Sequence, residues 1–317
     1  MNAYKKVAAV GLFVGVASVL SNPAAHADGP LSGSDTAIIL GGTTEPTPST
    51  AFAQAAENLF LNPLGFDGGA TSSTVCDMIG TDPCAAPLQV LTTPELIQQG
   101  PSSLTAADDV VLAVENEFTA NPGAFSAADP LTIFGYSQSA TAESIAMSRL
   151  EADGIPSADL HFVFIGDPSL ADTGAWPNLV PDLDSLFGTS VTNTLLTDLG
   201  FDGILGNVTP GDIYPTTIYT LDGDGVAQFQ PDFESGGLLG TIEGLFLQHV
   251  EYLGLTPAEI ADATITTNGA DLTYVDIPDN FNNADAWLSA VFEHGAAGSG
   301  LLESVFQSLE LYLTNSF

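Results

Sequence analysis

Positive charge is what this sequence most lacks. Its 317 residues include three basic side chains, Lys5, Lys6 and Arg149, against 39 acids, for a net charge of −36. Such a surface has no cations with which to displace counterions from a phosphate backbone, and it repels anionic membranes, so nucleic-acid binding is excluded. Histidine is scarce, at four residues, and no His-Glu-x-x-His pair marks a catalytic metal. The two cysteines, Cys76 and Cys84, have no histidine nearby and make a poor zinc site. Long apolar runs are missing too. Val7 to Leu20 gives 14 residues where a bilayer span needs about 20, and Gly236 to Gln248 is short and interrupted by Glu243.

What is present begins with a leader. Lys5 and Lys6 precede the apolar run, and Ala25-His26-Ala27 is a small-x-small cleavage signal, so residues 1–27 are expected to be a signal peptide. Removal would leave 290 residues, with Arg149 alone against 39 acids, a net charge of −38. Such a protein is expected outside the cell or in its envelope, with no membrane anchor after cleavage. The acidic surface then serves solubility, with a halophilic source as the lesser alternative. In an oxidising compartment Cys76 and Cys84, with seven residues between them, are expected to form a local disulfide contributing about 2–3 kcal/mol. No metal or other cofactor is expected.

Short apolar segments alternate with helical ones. Strands are expected at Ala37–Leu40, Gln89–Leu91, Leu131–Phe134, Leu160–Ile165 and Thr216–Thr220, and Leu272–Val275 is a further candidate. Helical spacing runs over Ala51–Leu61, from a capping box at Thr105–Asp108, over Gln138–Glu151, and around a break in Leu239–Leu253. The stretch 170–214, rich in Pro, Gly, Asp and Thr, reads as loop. Alternation of this kind predicts an α/β class protein with a mostly parallel sheet covered on both faces. The domain is expected over residues 28–262. A C-terminal extension, 263–317, is expected to pack back on it through an amphipathic helix marked by Leu301, Leu302, Val305, Phe306 and Leu309.

Chemistry concentrates at Gly135-Tyr136-Ser137-Gln138-Ser139. As a bare pattern Gly-x-Ser-x-small is weak, but a strand runs into it and an Ala-rich helix leaves it. A sharp strand-to-helix turn would hold the Ser137 hydroxyl above the sheet, with small residues at 135 and 139 where strand and helix approach. This is the nucleophile elbow of an α/β-hydrolase fold. The helix start would aim the Gln138 N–H at a developing oxyanion. A second donor is expected from the loop after the first strand, at Gly42 or Thr43, where glycine permits close backbone approach.

A serine nucleophile needs a base and an orienting acid, in the order Ser, acid, His. His249 and His294 are both eligible by chain order, whereas His161 opens a strand among apolar residues. Asp224 follows the strand at 216–220, with Asp222 and Asp167 as rivals. A calcium loop starting at Asp222 fails, because Val226, Ala227 and Phe233 stand where an oxygen ligand, glycine and glutamate are required.

Four segments together carry a family resemblance. They are Ile38-Ile39-Leu40-Gly41-Gly42-Thr43, Phe134–Thr141, Phe164-Ile165-Gly166-Asp167-Pro168, and Tyr214-Pro215-Thr216 through Thr220. Over roughly residues 35–260 the chain resembles the PE-PPE domain of mycobacteria and relatives, a cutinase-like branch of the serine α/β-hydrolases. The resemblance implies a Ser–Asp–His triad falling on Ser137, Asp224 and His249, and favours His249 over His294. It implies a secreted serine esterase acting on acyl or lipid esters through an acyl-enzyme. The same triad used as an acyltransferase on envelope glycolipids is one alternative, and an inactive envelope-binding domain is another. Departures lie around Asp224, in Gly223-Asp224-Gly225-Val226-Ala227-Gln228-Phe229, and at Val250-Glu251 after the histidine.

Overall fold

The computed structural model describes residues 29–67, 73–269, 271–279 and 284–295. The expected leader and the expected helix after residue 300 lie outside these residues. Among them, the elements run β1 (Ala37–Ile39), α1 (Thr50–Ala56), β2 (Val75–Asp77), β3 (Leu88–Val90), α2 (Gln99–Ala120), β4 (Leu131–Tyr136) and α3 (Gln138–Ala152). Then follow β5 (Leu160–Ile165), α4 (Ala175–Phe187), α5 (Thr189–Asp198), β6 (Thr216–Leu221), α6 (Phe229–Phe246) and α7 (Gln248–Glu251). The last elements are α8 (Pro257–Ala261), β7 (Thr264–Asn268), β8 (Leu272–Ile277) and α9 (Ala284–Phe292).

Eight strands form one sheet in the order β2-β3-β1-β4-β5-β6-β8-β7, parallel throughout except for the antiparallel edge strand β7. Strands β4, β5 and β6 are buried along their whole length and carry no Asp, Glu, Lys or Arg, their polar positions being Thr132, His161, Thr216, Thr217 and Thr220. Their side chains divide by alternation between two cores. Ile39, Phe134, Val163 and Tyr219 pack under α1 with Phe52 and Phe60. Ile38, Ile133, Phe162 and Ile218 face α2 and α3, meeting Val110, Val114 and Met147. This is an α/β-hydrolase fold, a parallel sheet with helices on both faces and a strained serine at the β4–α3 turn.

Three expectations need correction. Helix α2 starts at Gln99, six residues before the supposed capping box, and Thr105 lies inside it with its hydroxyl donating to the Pro101 carbonyl. Pro101 is tolerated in the first turn because its missing N–H would have no partner there. The stretch 170–214 is not loop throughout but carries α4 and α5. Residues 264–277 supply two strands of the same sheet, with β8 paired along β6, so the sheet continues past residue 262. Cys76 and Cys84 are joined as a disulfide with Cα atoms 6.3 Å apart. No helix among the described residues is long and apolar enough to cross a membrane.

Candidate active site

Ser137 stands between the end of β4 and the start of α3, with φ 58° and ψ −110°. A left-handed φ is costly for a residue with a Cβ. The other described non-glycine residues that adopt one are Thr44 (φ 71°) and Glu95 (φ 40°). These two join the same neighbourhood, since the Thr44 N–H donates to the Glu95 carbonyl at 2.7 Å beside Thr43. Strain of this kind collects where a site must be held in one geometry. The turn is secured locally. The Ser137 N–H donates to the Ile165 carbonyl at 3.1 Å. Ser139 Oγ accepts from the Tyr136 N–H at 2.8 Å and donates to the Tyr136 carbonyl at 3.1 Å. A Cβ at Gly135 would come 2.6 Å from Glu143 Oε1, so any larger residue there would have to displace the buried Glu143 carboxyl.

His249 Nε2 lies 2.7 Å from Ser137 Oγ, and His249 Nδ1 lies 2.8 and 2.9 Å from the two Asp224 carboxylate oxygens. Chain order and resemblance nominated these three side chains, and the fold brings them together. Asp224 is fully buried in the turn after β6. Its Oδ1 accepts the N–H groups of Val226 and Ala227 at 2.8 and 3.1 Å, and its Oδ2 accepts the Tyr252 hydroxyl at 2.7 Å. Burial alone would raise this carboxyl. The facing His249, together with hydrogen bonds from His249, Tyr252 and Val226, outweighs it and holds Asp224 below the ordinary carboxylate range.

Two tyrosines complete the mounting. Tyr252 also accepts the Leu221 N–H at 2.9 Å, tying Asp224 to the end of β6. Tyr136 donates its hydroxyl to the His249 carbonyl, and its ring lies 5.5 Å from the imidazole. Sequence reasoning assigned neither residue a role. Gly166, at φ 59°, is equally specific, since a Cβ would lie 3.0–3.1 Å from His249 and from Asp224 Oδ2.

The rival residues are engaged elsewhere. Asp167 accepts Thr209 Oγ1 at 2.5 Å and the Ser169 N–H at 2.8 Å, and burial pushes it up to about 6. Asp222 lines a separate acidic cleft with Asp232, Glu243 and Asp279. His161 is buried in β5, bonds Thr217 Oγ1 at 3.0 Å, and is lowered to about 4 by burial. His294 lies beyond α9, and the histidine hydrogen-bonded to Ser137 is His249.

Beneath the turn lies a set of buried acids that the sequence did not reveal. Burial, and then the charge of Glu95, pushes Glu45 up to about 9; burial pushes Glu95 up to about 8. Glu143, enclosed by β4 and α3, is raised well above its usual range by burial, then by Glu95 and Asp167. Neutral carboxyls can occupy such a site where carboxylates would be expelled.

Of the candidate oxyanion donors, Gln138 opens α3, so its N–H is among those a helix cannot pair internally. Its side chain is fully buried, with no hydrogen-bond partner for either amide atom. Thr43 lines the cavity above Ser137, and its hydroxyl accepts from Gln99 Nε2 at 3.1 Å. Gly42 packs against Tyr136, whose ring would lie 3.0 Å from an added Cβ. The cavity holds about 230 Å³ and is lined by Ser137 and His249 together with Trp176, Leu179, Phe201, Phe229 and Leu245. Its lining is mainly apolar. No group of His, Cys, Asp and Glu among the described residues is arranged to hold a metal.

A family model described as the PE-PPE domain matches residues 84–281. Among curated proteins of Mycobacterium tuberculosis, the chain is 29% identical over 238 residues to the PPE family protein PPE28, covering 73% of this chain and 31% of that one. It is 28% identical over 258 residues to Esterase PE16, covering 78% and 43% respectively. The chain thus spans less than half the length of these relatives. Among solved structures, a cutinase-like protein from Cryptococcus sp. aligns over 73% of this chain and 96% of its own, at 19% identity and a TM-score of 0.36.

Proposed function

The chain belongs to the PE-PPE domain family, and from that premise we propose that it is a serine esterase in which Ser137, His249 and Asp224 carry the reaction. The observation that carries this reading is the 2.7 Å approach of His249 Nε2 to a serine hydroxyl in strained backbone, with the opposite ring nitrogen on a buried carboxylate. A hydroxyl alone is a poor nucleophile at neutral pH. His249 takes its proton as Oγ attacks the ester carbonyl, and Asp224 holds the ring in the tautomer that leaves Nε2 free to accept. The oxyanion is met by backbone N–H groups of Gln138 and of the Gly42–Thr43 segment. His249 then gives the proton to the leaving alcohol, and water repeats the sequence on the acyl-enzyme.

The apolar cavity beside Ser137 favours an acyl chain over a charged or sugar-like group. A relative named Esterase PE16 supports ester bonds as the target. Family membership and the disulfide support an exported protein of the envelope or medium. Purified protein is expected to hydrolyse p-nitrophenyl esters of short and medium acyl chains. Ser137→Ala and His249→Ala should each lower turnover by about 10⁴-fold or more. Folded wild-type protein that turns over none of these esters would overturn the assignment.

A further inference from the structure

The helices around the cavity present apolar side chains to water where a soluble surface would carry polar ones. At the end of α4 stand Leu186 and Phe187. Val191 and Leu195 share a face of α5, and Leu238, Leu239 and Ile242 project from α6. Leu239 is 79% exposed and Val191 55%. The segment before α2 adds Leu96 and Ile97. Each of these chain segments also reaches the cavity, α4 through Trp176 and Leu179. Gln99 follows Ile97, Phe201 follows α5, and Ile242 is itself both half-exposed and part of the cavity wall. The Gly100 N–H donates to the Gly200 carbonyl at 2.7 Å, joining the α2 start to the end of α5.

On α6 the positions 238, 242 and 245 fall on one face, so an apolar track leads from solvent at Leu238 to the cavity at Leu245. Helix α6 is broken at Gly237 (φ 60°, ψ −161°), and a Cβ at Gly236 or Gly237 would meet nothing within 4 Å. The exposed leucines therefore follow a break in the helix whose glycines face open space. Large apolar side chains exposed on the segments that line a cavity point to an interaction surface rather than to a purely solvated one.

The charge pattern selects the partner. No lysine or arginine follows Arg149, whereas Asp182, Asp184, Asp198, Asp202 and Glu234 lie on or beside the same helices. An anionic lipid surface would be repelled and an uncharged one would not. We propose that this apolar rim docks on the surface of an aggregated, electrically neutral acyl ester, so that substrate passes along α6 from the aggregate into the cavity. The proposal rests on the esterase reading for the identity of the substrate but not for the docking itself.

Two measurements separate the ideas. The first is flotation of the Ser137→Ala protein with phosphatidylcholine vesicles, with and without phosphatidylglycerol. Binding is expected to the neutral vesicles and to fall as anionic lipid is added. Val191→Ser/Leu239→Ser should weaken it by about tenfold or more, since one buried leucine-sized side chain is worth about that factor. The second is hydrolysis of tributyrin across its solubility limit. The wild-type rate should rise as droplets appear, and the double variant should lose that rise while keeping its rate on dissolved p-nitrophenyl acetate.

Absence of flotation, equal binding by the double variant, or equal binding to anionic vesicles overturns the proposal. So does a stable dimer that the same substitutions dissociate, which would assign the rim to a second copy. Flotation without turnover of any ester would sink the esterase reading alone, and ester turnover without flotation would sink the docking alone.

Discussion

Raising the pH from 5 to 9 should destabilise this fold through acids that sit in its interior. Glu95 is buried, its Oε1 accepting the Thr93 hydroxyl at 2.8 Å and its Oε2 lacking a partner. Its carboxyl titrates near 8 when folded, against an ordinary value of 4.5. Between these values the unfolded chain has lost a proton that the native state keeps. Stability from this group is therefore complete below 4.5 and is lost as pH climbs towards 8. At about 1.4 kcal/mol per unit, the 3.5-unit gap sets an upper bound of about 5 kcal/mol, comparable to the whole stability of many domains. Glu45, near 9, acts in the same sense. Asp224, held below 3.8, acts in the opposite one: its stability is present above 3.8 and is lost only as pH falls through its folded value. The assay is urea unfolding at pH 5, 7 and 9 in 1 M NaCl, where a screening length of about 3 Å suppresses repulsion among surface acids. Glu95→Gln keeps the shape and cannot ionise, so its stability should fall less over this range and exceed that of wild type at pH 9. Parallel curves for the two proteins would refute the reasoning.

Other outcomes follow from the same geometry. Tyr252→Phe removes a donor to Asp224 and the acceptor of the Leu221 N–H. It should cost about 1–3 kcal/mol in urea unfolding and lower ester turnover about tenfold with little change in KM. Gly166→Ala places a methyl 3.0–3.1 Å from His249 and Asp224 at a left-handed φ. It should reduce kcat by about 10²-fold, more than it reduces melting temperature, measured side by side by ester assay and calorimetry.

Much of this architecture was legible because buried parallel strands leave apolar runs such as Leu131–Phe134 and Leu160–Ile165. The elbow was legible because Gly135 and Ser139 bracket a serine between such a run and a helix. Helices α4 and α5 were hidden by Pro181, Gly188 and many Thr and Asp residues, whose local preference for turns is overruled by packing of Trp176 and Leu183. The start of α2 was misplaced because Thr105–Asp108 satisfies a capping pattern that the chain does not use. Tyr252 was invisible because its partners, Asp224 and Leu221, lie 28 and 31 residues away. Only its spacing of three from His249, one helical turn, could have suggested it. The buried Glu45, Glu95 and Glu143 could not be told from the many surface acids, since nothing local distinguishes a protonated carboxyl.

The central claim is that Ser137 is activated by His249. Its most direct measurement is intact-mass and peptide mapping after exposure to a fluorophosphonate. The account predicts one adduct, on Ser137, that is absent in Ser137→Ala and forms far more slowly in His249→Ala. An adduct that persists in Ser137→Ala, or that forms at the wild-type rate in His249→Ala, would contradict it.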